Sequence, residues 1–303
     1  MTHPTLTARR QRAALLGGSL VLVLLTACYA DPRPAGTASA APRPASTPAT
    51  AATAAGLTAQ QRLNLLADTI STAPADTTDG LPYTYLHLQS WTRASTTIVR
   101  TDVRRWRHDA DGSGREMIRR APDLHGLNHQ PTPQERQEFS RAVPHTLHHG
   151  IGDLHPHLSG DIPANPRELI RLLAPPALAD EPAYPRILAS GIVELATSQH
   201  LNPRQRATTL RALAAAPHLT YNKGTTTDLA GRTGMSFQIV ADGSTSTLLI
   251  HPDTGDLLAA TEWVNRGRRP GLYSYTLLLA HGRTRSPDMP TSPTTAAAVT
   301  RLR

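Results

Sequence analysis

The segment GMSFQIVADGSTSTLLIHPDTGDLLAATEWV, residues 234–264, decides the fold class of this chain. It holds three runs rich in β-forming residues, separated by two short turn sequences. Asp242-Gly243 is a strong signal for a two-residue hairpin. Pro252 and Gly255 bracket the second turn, where proline suits the start and glycine accepts a positive φ angle. The segment therefore predicts three consecutive antiparallel strands.

Further strands are predicted on both sides of this segment and near the start of the chain. Residues 83–91 alternate between two sets of side chains, which is the period of a strand with two different faces. A second strand follows at 97–107, and after a turn rich in Asp and Gly a third strand is predicted at 115–120. The remaining predicted strands are 219–227 and 273–279.

The middle of the chain is predicted to be helical. Asn165 followed by Pro166, and Asn202 followed by Pro203, are typical of helix starts. Residues 57–70 and 187–197 carry apolar residues at helical spacing, with Thr58 as the N-cap of the first helix. Strands, then helices, then strands imply an α+β domain with one curved antiparallel sheet and helices packed on one side.

The N-terminal region is typical of a secretory signal. Three arginines precede the apolar run 13–25, which is too short for a bilayer-spanning helix of roughly 20 residues. Leu25-Thr26-Ala27-Cys28 resembles a bacterial lipobox, and this resemblance implies cleavage before Cys28 and acylation of Cys28 with fatty acids such as palmitate. We therefore expect a lipoprotein anchored to the extracytoplasmic face of the cell membrane.

Composition and punctuation divide the chain into four predicted regions. They are a signal peptide at 1–27, an acylated cysteine with a disordered Ala/Pro/Thr linker at 28–56, one α+β domain at 57–280 and a disordered tail at 281–303. Cys28 is the only cysteine, so no intramolecular disulfide is expected. Removal of the signal peptide lowers the formal charge from +8 to +5. Outside the cell such a basic chain meets anionic lipid or wall polymer rather than nucleic acid.

Several motifs resemble those of an uncharacterised family of actinobacterial envelope proteins, which are tethered to the membrane by one helix or a lipobox. The matching stretches are 83–85 with Trp91, 106–115, 162–169, 228–234 and 249–258. The layout is also similar to that of envelope lipoprotein carriers, in which a curved sheet folds over helices to make a half-barrel. This second resemblance implies space for acyl chains between sheet and helices. Tyr83, Tyr85, Trp91 and Trp106 are the predicted wall of a ligand site, although aromatic strand residues are more often core.

Arginines are concentrated on the second and third predicted strands. Arg100, Arg104, Arg105 and Arg107 would form a face for an anionic partner if they were exposed together. The alternative is a solvated sheet surface on which Asp102 and Glu116 neutralise the arginines, and this is the usual arrangement for a run of charges.

Half of the 14 histidines lie between His125 and His157. His145, His148 and His149 are the candidate metal ligands, since His145 and His149 have a helical i, i+4 spacing. No His-Glu-x-x-His motif or nearby cysteine supports this hypothesis, and the alternative is a polar loop.

No catalytic motif stands out, so the sequence predicts a binding protein without a cofactor rather than an enzyme. The favoured function is the binding of a hydrophobic or amphiphilic ligand at the membrane. The first alternative is an envelope sensor or assembly partner that binds another protein. The second is metal capture by the segment from His125 to His157.

Overall fold

A computed structural model of the 303-residue chain describes residues 56–76 and 78–288. The α-helices in these residues are α1 (Ala59–Ser71), α2 (Pro133–Arg141), α3 (Pro166–Leu173), α4 (Tyr184–Ser198) and α5 (Pro203–Ala214), with a 3₁₀ helix at Pro176–Leu178. The strands are β1 (Tyr83–Ala94), β2 (Thr97–His108), β3 (Gly114–His125), β4 (His145–His149), β5 (Leu219–Thr227), β6 (Thr233–Ala241), β7 (Ser244–Ile250), β8 (Leu257–Val264) and β9 (Gly271–Thr284).

These strands form one open antiparallel sheet in the order β4-β3-β2-β1-β9-β8-β7-β6-β5. Every neighbouring pair except one is consecutive in the chain. The exception is β1 with β9, where Tyr83 lies opposite Thr284 and Thr92 opposite Ser274. The sheet therefore consists of two meanders, β1–β4 and β5–β9, joined by this one long-range pairing. The predicted α+β class with one antiparallel sheet is confirmed.

The local signals at turns and caps form as the sequence predicts. Asp242 and Gly243 connect β6 to β7 and both have positive φ angles, 47° and 68°, as a tight hairpin requires. At the start of α1, Thr58 accepts a hydrogen bond from the backbone N–H of Gln61, whose side chain accepts one in return from the backbone of Thr58. This reciprocal capping satisfies two backbone donors that would otherwise lack partners.

The main core lies between α1, α3, α4 and α5 and one face of the sheet. Leu63, Leu169, Leu195 and Leu213, one from each helix, are fully buried together with Phe237 of β6. This face can be followed across the sheet because strand pairing sets residues side by side. The positions that face one another on it are Phe237, Leu248, Ala260, Thr276 and Ser90.

The short helix α2 lies on the opposite face of the sheet. Trp91 is the neighbour of Ser90 and therefore points away from the main core. There its ring packs edge-on against Phe139 of α2, with 5.3 Å between ring centroids. The sequence did not predict α2 or β4, and it placed all helices on one side. The four helices of the main core follow that arrangement, whereas α2 forms a second, smaller core around Trp91.

The sheet extends further towards the C-terminus than the sequence predicts. Strand β9 continues to Thr284, and His281 in this part is only 3% exposed. The predicted disordered tail from residue 281 is therefore wrong for residues 281–284. The predicted signal peptide, Cys28 and all of the predicted linker except Gly56 lie outside the described residues. Within the part of the chain that is described, no helix is long and apolar enough to span a membrane.

The start of β9 offers a test of this packing. Gly271 has a φ of 124°, and a Cβ there would lie 2.6 Å from the carbonyl carbon of Leu127. Gly267 in the same loop has a similar φ of 116° but open space around it. We expect Gly271→Ala to lower the free energy of unfolding by about 1–3 kcal/mol more than Gly267→Ala, because only the first adds a backbone clash. Urea unfolding measures both, and equal losses would contradict the close approach of the Leu127 backbone to Gly271.

Candidate functional site

An open cavity of about 370 Å³ lies on the α2 side of the sheet, and we call it the cleft. Its floor is formed by β1, β2 and β3, and α2 forms one wall. The residues that line it are His87, Gln89, Asp102, Arg104, Arg119, Arg136, Gln137, Phe139, Ser140 and Leu279. Its volume lies within the range of small-molecule sites, which is about 300–1,000 Å³.

Strand register explains why polar residues meet on the floor. His87 lies opposite Arg104, and Gln89 lies opposite Asp102, which is itself opposite Arg119 on β3. Alternate residues of a strand share a face, so these five side chains point to the same side of the sheet. The cleft is therefore a polar patch across three strands. It lies between the buried aromatic pair Tyr85 and Trp106 at one end and Trp91 at the other.

Asp102 is the negative centre of the floor. It is 4% exposed, and its Oδ2 accepts a hydrogen bond of 2.7 Å from Gln89 Nε2 and lies 3.0 Å from His87 Nε2. Arg119 lies 3.8 Å from its Oδ1. Burial by itself would raise the pKa of Asp102, but the contacts with His87 and Gln89 outweigh burial and hold the pKa below its usual value.

The rest of the cleft is cationic and includes an acceptor without a partner. Arg104, Arg119 and Arg136 line it, and Asp102 is the one carboxylate among the described lining residues. Because Gln89 Nε2 donates to Asp102, the other amide atom of Gln89, Oε1, points elsewhere; it is buried and accepts no hydrogen bond. Among the described residues Asp102 Oδ1 also accepts no hydrogen bond, so the cleft combines an excess of positive charge with two buried hydrogen-bond acceptors, one of them on the neutral Gln89 side chain.

The four predicted wall residues do not line the cleft. Tyr85, Trp91 and Trp106 are at most 5% exposed, and Tyr83 is partly buried. Tyr85 packs on Trp106 with 5.0 Å between ring centroids, and Trp91 Nε1 donates to Glu135 of α2 at 3.0 Å. The structure thus places these aromatic residues in the core that supports the cleft rather than on its surface.

The four predicted anion-binding arginines do not form one face. Arg100 is buried, donates to the carbonyl oxygen of Pro122 and lies 2.8 Å from Glu138. Arg105 and Arg107 point to the opposite face of the sheet from the cleft, the face covered by α1, α3, α4 and α5, as strand alternation requires. Of the four, only Arg104 lines the cleft.

The alternative of local neutralisation fits these arginines better. Arg105 Nε lies 2.6 Å from Glu116, and Arg107 lies 3.0 Å from Asp109. Glu116 and Asp102 are therefore ion-pair partners of the arginine-rich strands, as that alternative expects, but both are buried rather than part of a solvated surface.

The candidate histidines lie on β4 and are not brought together. On a strand, residues four positions apart are separated by about 13 Å, so His145 and His149 cannot share one metal ion as they would on a helix. His149 Nε2 lies 3.1 Å from Glu116, while His145 and His148 are exposed. The described part of the chain contains one group of three close potential metal ligands, and none of these histidines belongs to it.

That group belongs to a buried polar cluster on the helix side of the sheet, which the sequence did not predict. We call it the His–Asp cluster; its members are Asp76, Asp79, His200, Arg206, Asp256 and His281. The rings of His200 and His281 are stacked, with 3.1 Å between their Nδ1 atoms. Arg206 lies 3.4 Å from Asp76 and 3.3 Å from Asp256.

Burial controls the charge state of this cluster. Burial lowers the pKa of His200, although the nearby Asp76 carboxylate acts in the other direction. For Asp256, burial alone would raise the pKa, but the neighbouring His281 and Arg206 outweigh it and hold the carboxyl ionised well below its usual range. The arrangement therefore favours ionised carboxylates beside a neutral His200.

One sequence signal for the His–Asp cluster was present. Arg206 sits at i, i+4 and i+7 spacing with Leu210 and Leu213, so a charged residue occupies the apolar stripe of α5. A charge in such a stripe requires a buried partner. The carboxylate partners of Arg206, Asp76 and Asp256, come from distant loops, which the sequence pattern does not connect.

Two small cavities lie on the helix side, where the half-barrel resemblance implies room for acyl chains. Their volumes are about 30 and 40 Å³, which suits a few water molecules rather than an acyl chain. No family model matches the sequence, and no curated protein matches it either. The resemblance to actinobacterial envelope proteins stays a prediction.

Asp102 provides a test of the cleft's electrostatics. A native pKa below the unfolded value stabilises the fold above about pH 4, and this contribution is lost as pH falls through the native pKa. We expect Asp102→Asn to lower the free energy of unfolding by about 1–3 kcal/mol at pH 7, and by less near pH 3. Urea unfolding at both pH values measures this difference. Asp123→Asn, which removes a partly exposed pair with Arg120, is the control and should cost about 0.5 kcal/mol or less. If the loss of unfolding free energy in Asp102→Asn were the same at both pH values, this would contradict a lowered pKa of Asp102 in the folded protein.

Proposed function

We propose that this protein is an extracytoplasmic lipoprotein whose domain binds an amphiphile by its anionic head group. The observation that carries the proposal is the cleft, which is lined by three arginines, Arg104, Arg119 and Arg136, and by a single carboxylate, Asp102. Guanidinium groups bind carboxylate and phosphate through paired charge-assisted hydrogen bonds. An anionic group of either chemistry matches the excess positive charge of these side chains.

The other lining residues narrow the ligand class. Gln89 Oε1 is a buried acceptor without a partner, so a ligand hydroxyl or amide next to the anionic group would satisfy it. Leu279, which is partly exposed, adds apolar surface beside the polar floor, whereas Phe139 is 1% exposed and supports the cleft from beneath. A head group with an acidic and a hydroxyl function, attached to an apolar portion, has this combination. In this proposal the acyl chains stay outside the domain, since the cavities beneath the helices are small.

The predicted membrane anchor favours an amphiphile over a water-soluble anion as the ligand. A lipid anchor at Cys28 and a linker of about 25 residues, with a root-mean-square reach of roughly 25–30 Å, would keep the domain and its cleft near the membrane. At that distance the local concentration of membrane amphiphiles is high. We propose binding rather than catalysis. The Asp102 carboxylate is held by Gln89 and His87 and lies near Arg119, which suits a role in orienting the cationic side chains of the cleft.

A protein partner at the β4 edge is the second candidate. β4 is an outer strand of the sheet, so one row of its backbone groups is unpaired. Val143 and Ile151 flank it and are 84% and 81% exposed. An added strand from another envelope protein would pair with this edge and cover both apolar side chains.

Calorimetric titration of the domain tests the proposed ligand class. We expect dodecyl phosphate, below its micelle concentration, to bind more tightly than inorganic phosphate, and neutral dodecyl maltoside not to bind. Arg136→Gln should weaken dodecyl phosphate binding about tenfold, because one charge-assisted contact is removed. Arg141→Gln on the same helix is the control, since Arg141 is exposed and does not line the cleft.

The same titration contains the outcomes that would refute the proposal. Equal binding of dodecyl phosphate and dodecyl maltoside would show a merely apolar surface. If Arg136→Gln and Arg141→Gln bound dodecyl phosphate with equal affinity, the binding site would not be the cleft. Stronger binding of inorganic phosphate would favour a water-soluble anion, and no binding of any probe would favour the partner at β4.

Membrane fractionation tests the anchor independently of the ligand. We expect Cys28→Ser to move the protein from the membrane fraction to the soluble extracytoplasmic fraction, because the acceptor of the acyl chains is lost. Thr26→Ser, which keeps a small residue at the cleavage region, should leave the protein in the membrane. Retention of the Cys28→Ser protein in the membrane would replace the lipobox by an uncleaved signal anchor.

A further inference from the structure

The part of the His–Asp cluster nearest the surface contains a set of metal-ligand atoms at the spacing of a coordinated ion. His200 Nε2 lies 3.3 Å from an Asp76 carboxylate oxygen and 3.6 Å from one of Asp79. Bonds of about 2.0–2.2 Å around a tetrahedral Zn²⁺ place neighbouring ligand atoms about 3.3–3.6 Å apart. All three atoms lie within 4.8 Å of one another. The donors are therefore already arranged around a common centre.

His200 points an unsatisfied nitrogen into this centre. The side chain is 2% exposed, and Nε2 is buried without a hydrogen-bond partner of good geometry. An imidazole nitrogen aimed between two carboxylates must carry either a proton or another cation, because lone pairs repel. This nitrogen is the independent sign of a ligand, beyond the proximity of two acidic residues.

The far side of His200 has the support that metal-binding histidines have in other proteins. His281 Nε2, like His200 Nε2, is buried without a hydrogen bond of good geometry, but it lies only 3.0 Å from an Asp256 carboxylate oxygen, and this shorter approach favours a proton on that nitrogen and leaves His281 Nδ1 as an acceptor. His200 Nδ1 lies 3.1 Å from this acceptor and therefore carries its own ring proton. The neutral ring then presents the Nε2 lone pair to the centre. A ligating histidine held through its other nitrogen by such a chain is typical of metal sites.

Charge and access agree with a divalent ion. Apart from the two histidines, the cluster has three carboxylates and one guanidinium, Arg206, whose formal charges sum to −2. The charge of a divalent cation equals this deficit. The Asp76 and Asp79 side chains are 23% and 31% exposed, which leaves an entry path and room for a water ligand. Arg206 Nη1 lies 3.4 Å from Asp76 Oδ2, the same oxygen that lies 3.3 Å from His200 Nε2, so this oxygen would contact both the guanidinium group and the ion.

We propose that Asp76, Asp79 and His200 form a binding site for one divalent transition-metal ion, with Zn²⁺ as the ion that best suits one nitrogen and two oxygen donors. Asp76 and Asp79 precede β1, whereas His200 connects α4 to α5. The ion would therefore link the segment before β1 to the loop between α4 and α5. This site is separate from the cleft, and it does not use the histidines of β4.

Metal titration of the purified full-length protein, after treatment with a chelator, tests the site. We expect one Zn²⁺ per chain by calorimetry, a rise in Tm on binding, and the strong visible absorption of tetrahedral Co²⁺ when Co²⁺ replaces Zn²⁺. Asp79→Asn should weaken Zn²⁺ binding at least about tenfold, since it removes one ligand. Asp79 is partly exposed, and its side chain forms an ion pair with His200 alone among the described residues, so this variant should fold.

Two control variants make the result specific. Asp161→Asn removes an exposed carboxylate elsewhere, and His148→Ala removes an exposed histidine of β4. Both should bind Zn²⁺ as the unmodified protein does. The proposal is overturned if the protein binds no stoichiometric Zn²⁺, if Co²⁺ gives no tetrahedral spectrum, or if Asp79→Asn binds as tightly as Asp161→Asn. Loss of binding in His148→Ala would assign the metal to the β4 histidines instead.

Discussion

The pairing of β1 with β9 is the interaction on which the rest of the structure depends. All other strand pairs are made by neighbours in the chain, whereas the paired positions of β1 and β9 are about 180–200 residues apart. Closing so long a loop lowers the conformational entropy of the chain, and this cost grows only slowly with loop length. The entropy is lost before the contacts between β1 and β9 stabilise the sheet. Two meanders become one sheet only through this pairing. Both polar sites require it, because β1 supplies His87 and Gln89 to the cleft, while β9 supplies Leu279 to the cleft and His281 to the His–Asp cluster.

Elements with strong local signals were predictable from the sequence, and elements held by distant contacts were not. The Asp242-Gly243 hairpin and the Thr58 cap depend on residues within a few positions of each other, so their conformations follow from short-range chemistry. Helix α2 has nine mostly polar residues, and it is held by Phe139 packing on Trp91 and by the contact of Glu135 with the indole nitrogen. A helix this short has little stability of its own, so the start signal of Thr132 followed by Pro133 was not enough to predict it without the distant contacts.

The sites were less predictable than the fold for the same reason. Alternation along β1 correctly places His87 and Gln89 on one face, but only the register with β2 sets Asp102 beside Gln89. The register between two strands decides which side chains lie next to each other, but the alternation of residues along each strand is the same in any register. In the His–Asp cluster the two histidines are 81 positions apart, and the predicted domain end at residue 280 excluded one of them. Sequence patterns identify a charged residue in an apolar stripe, such as Arg206, but they do not identify its partner.

The two outer strands of the sheet have different consequences for self-association. An open edge is a template on which further strands can add, and natural sheets discourage this with lysine, with bulges and with short strands. β5 has the first two: Lys223, the only lysine of the chain, and a break in register between Asn222 and Thr226 that includes Gly224 at a φ of 107°. β4 has only its length of five residues. Copies of the domain are thus blocked from stacking edge to edge in a continuous sheet, because growth at β5 is obstructed. The domain gains resistance to aggregation at high local concentration from this asymmetry.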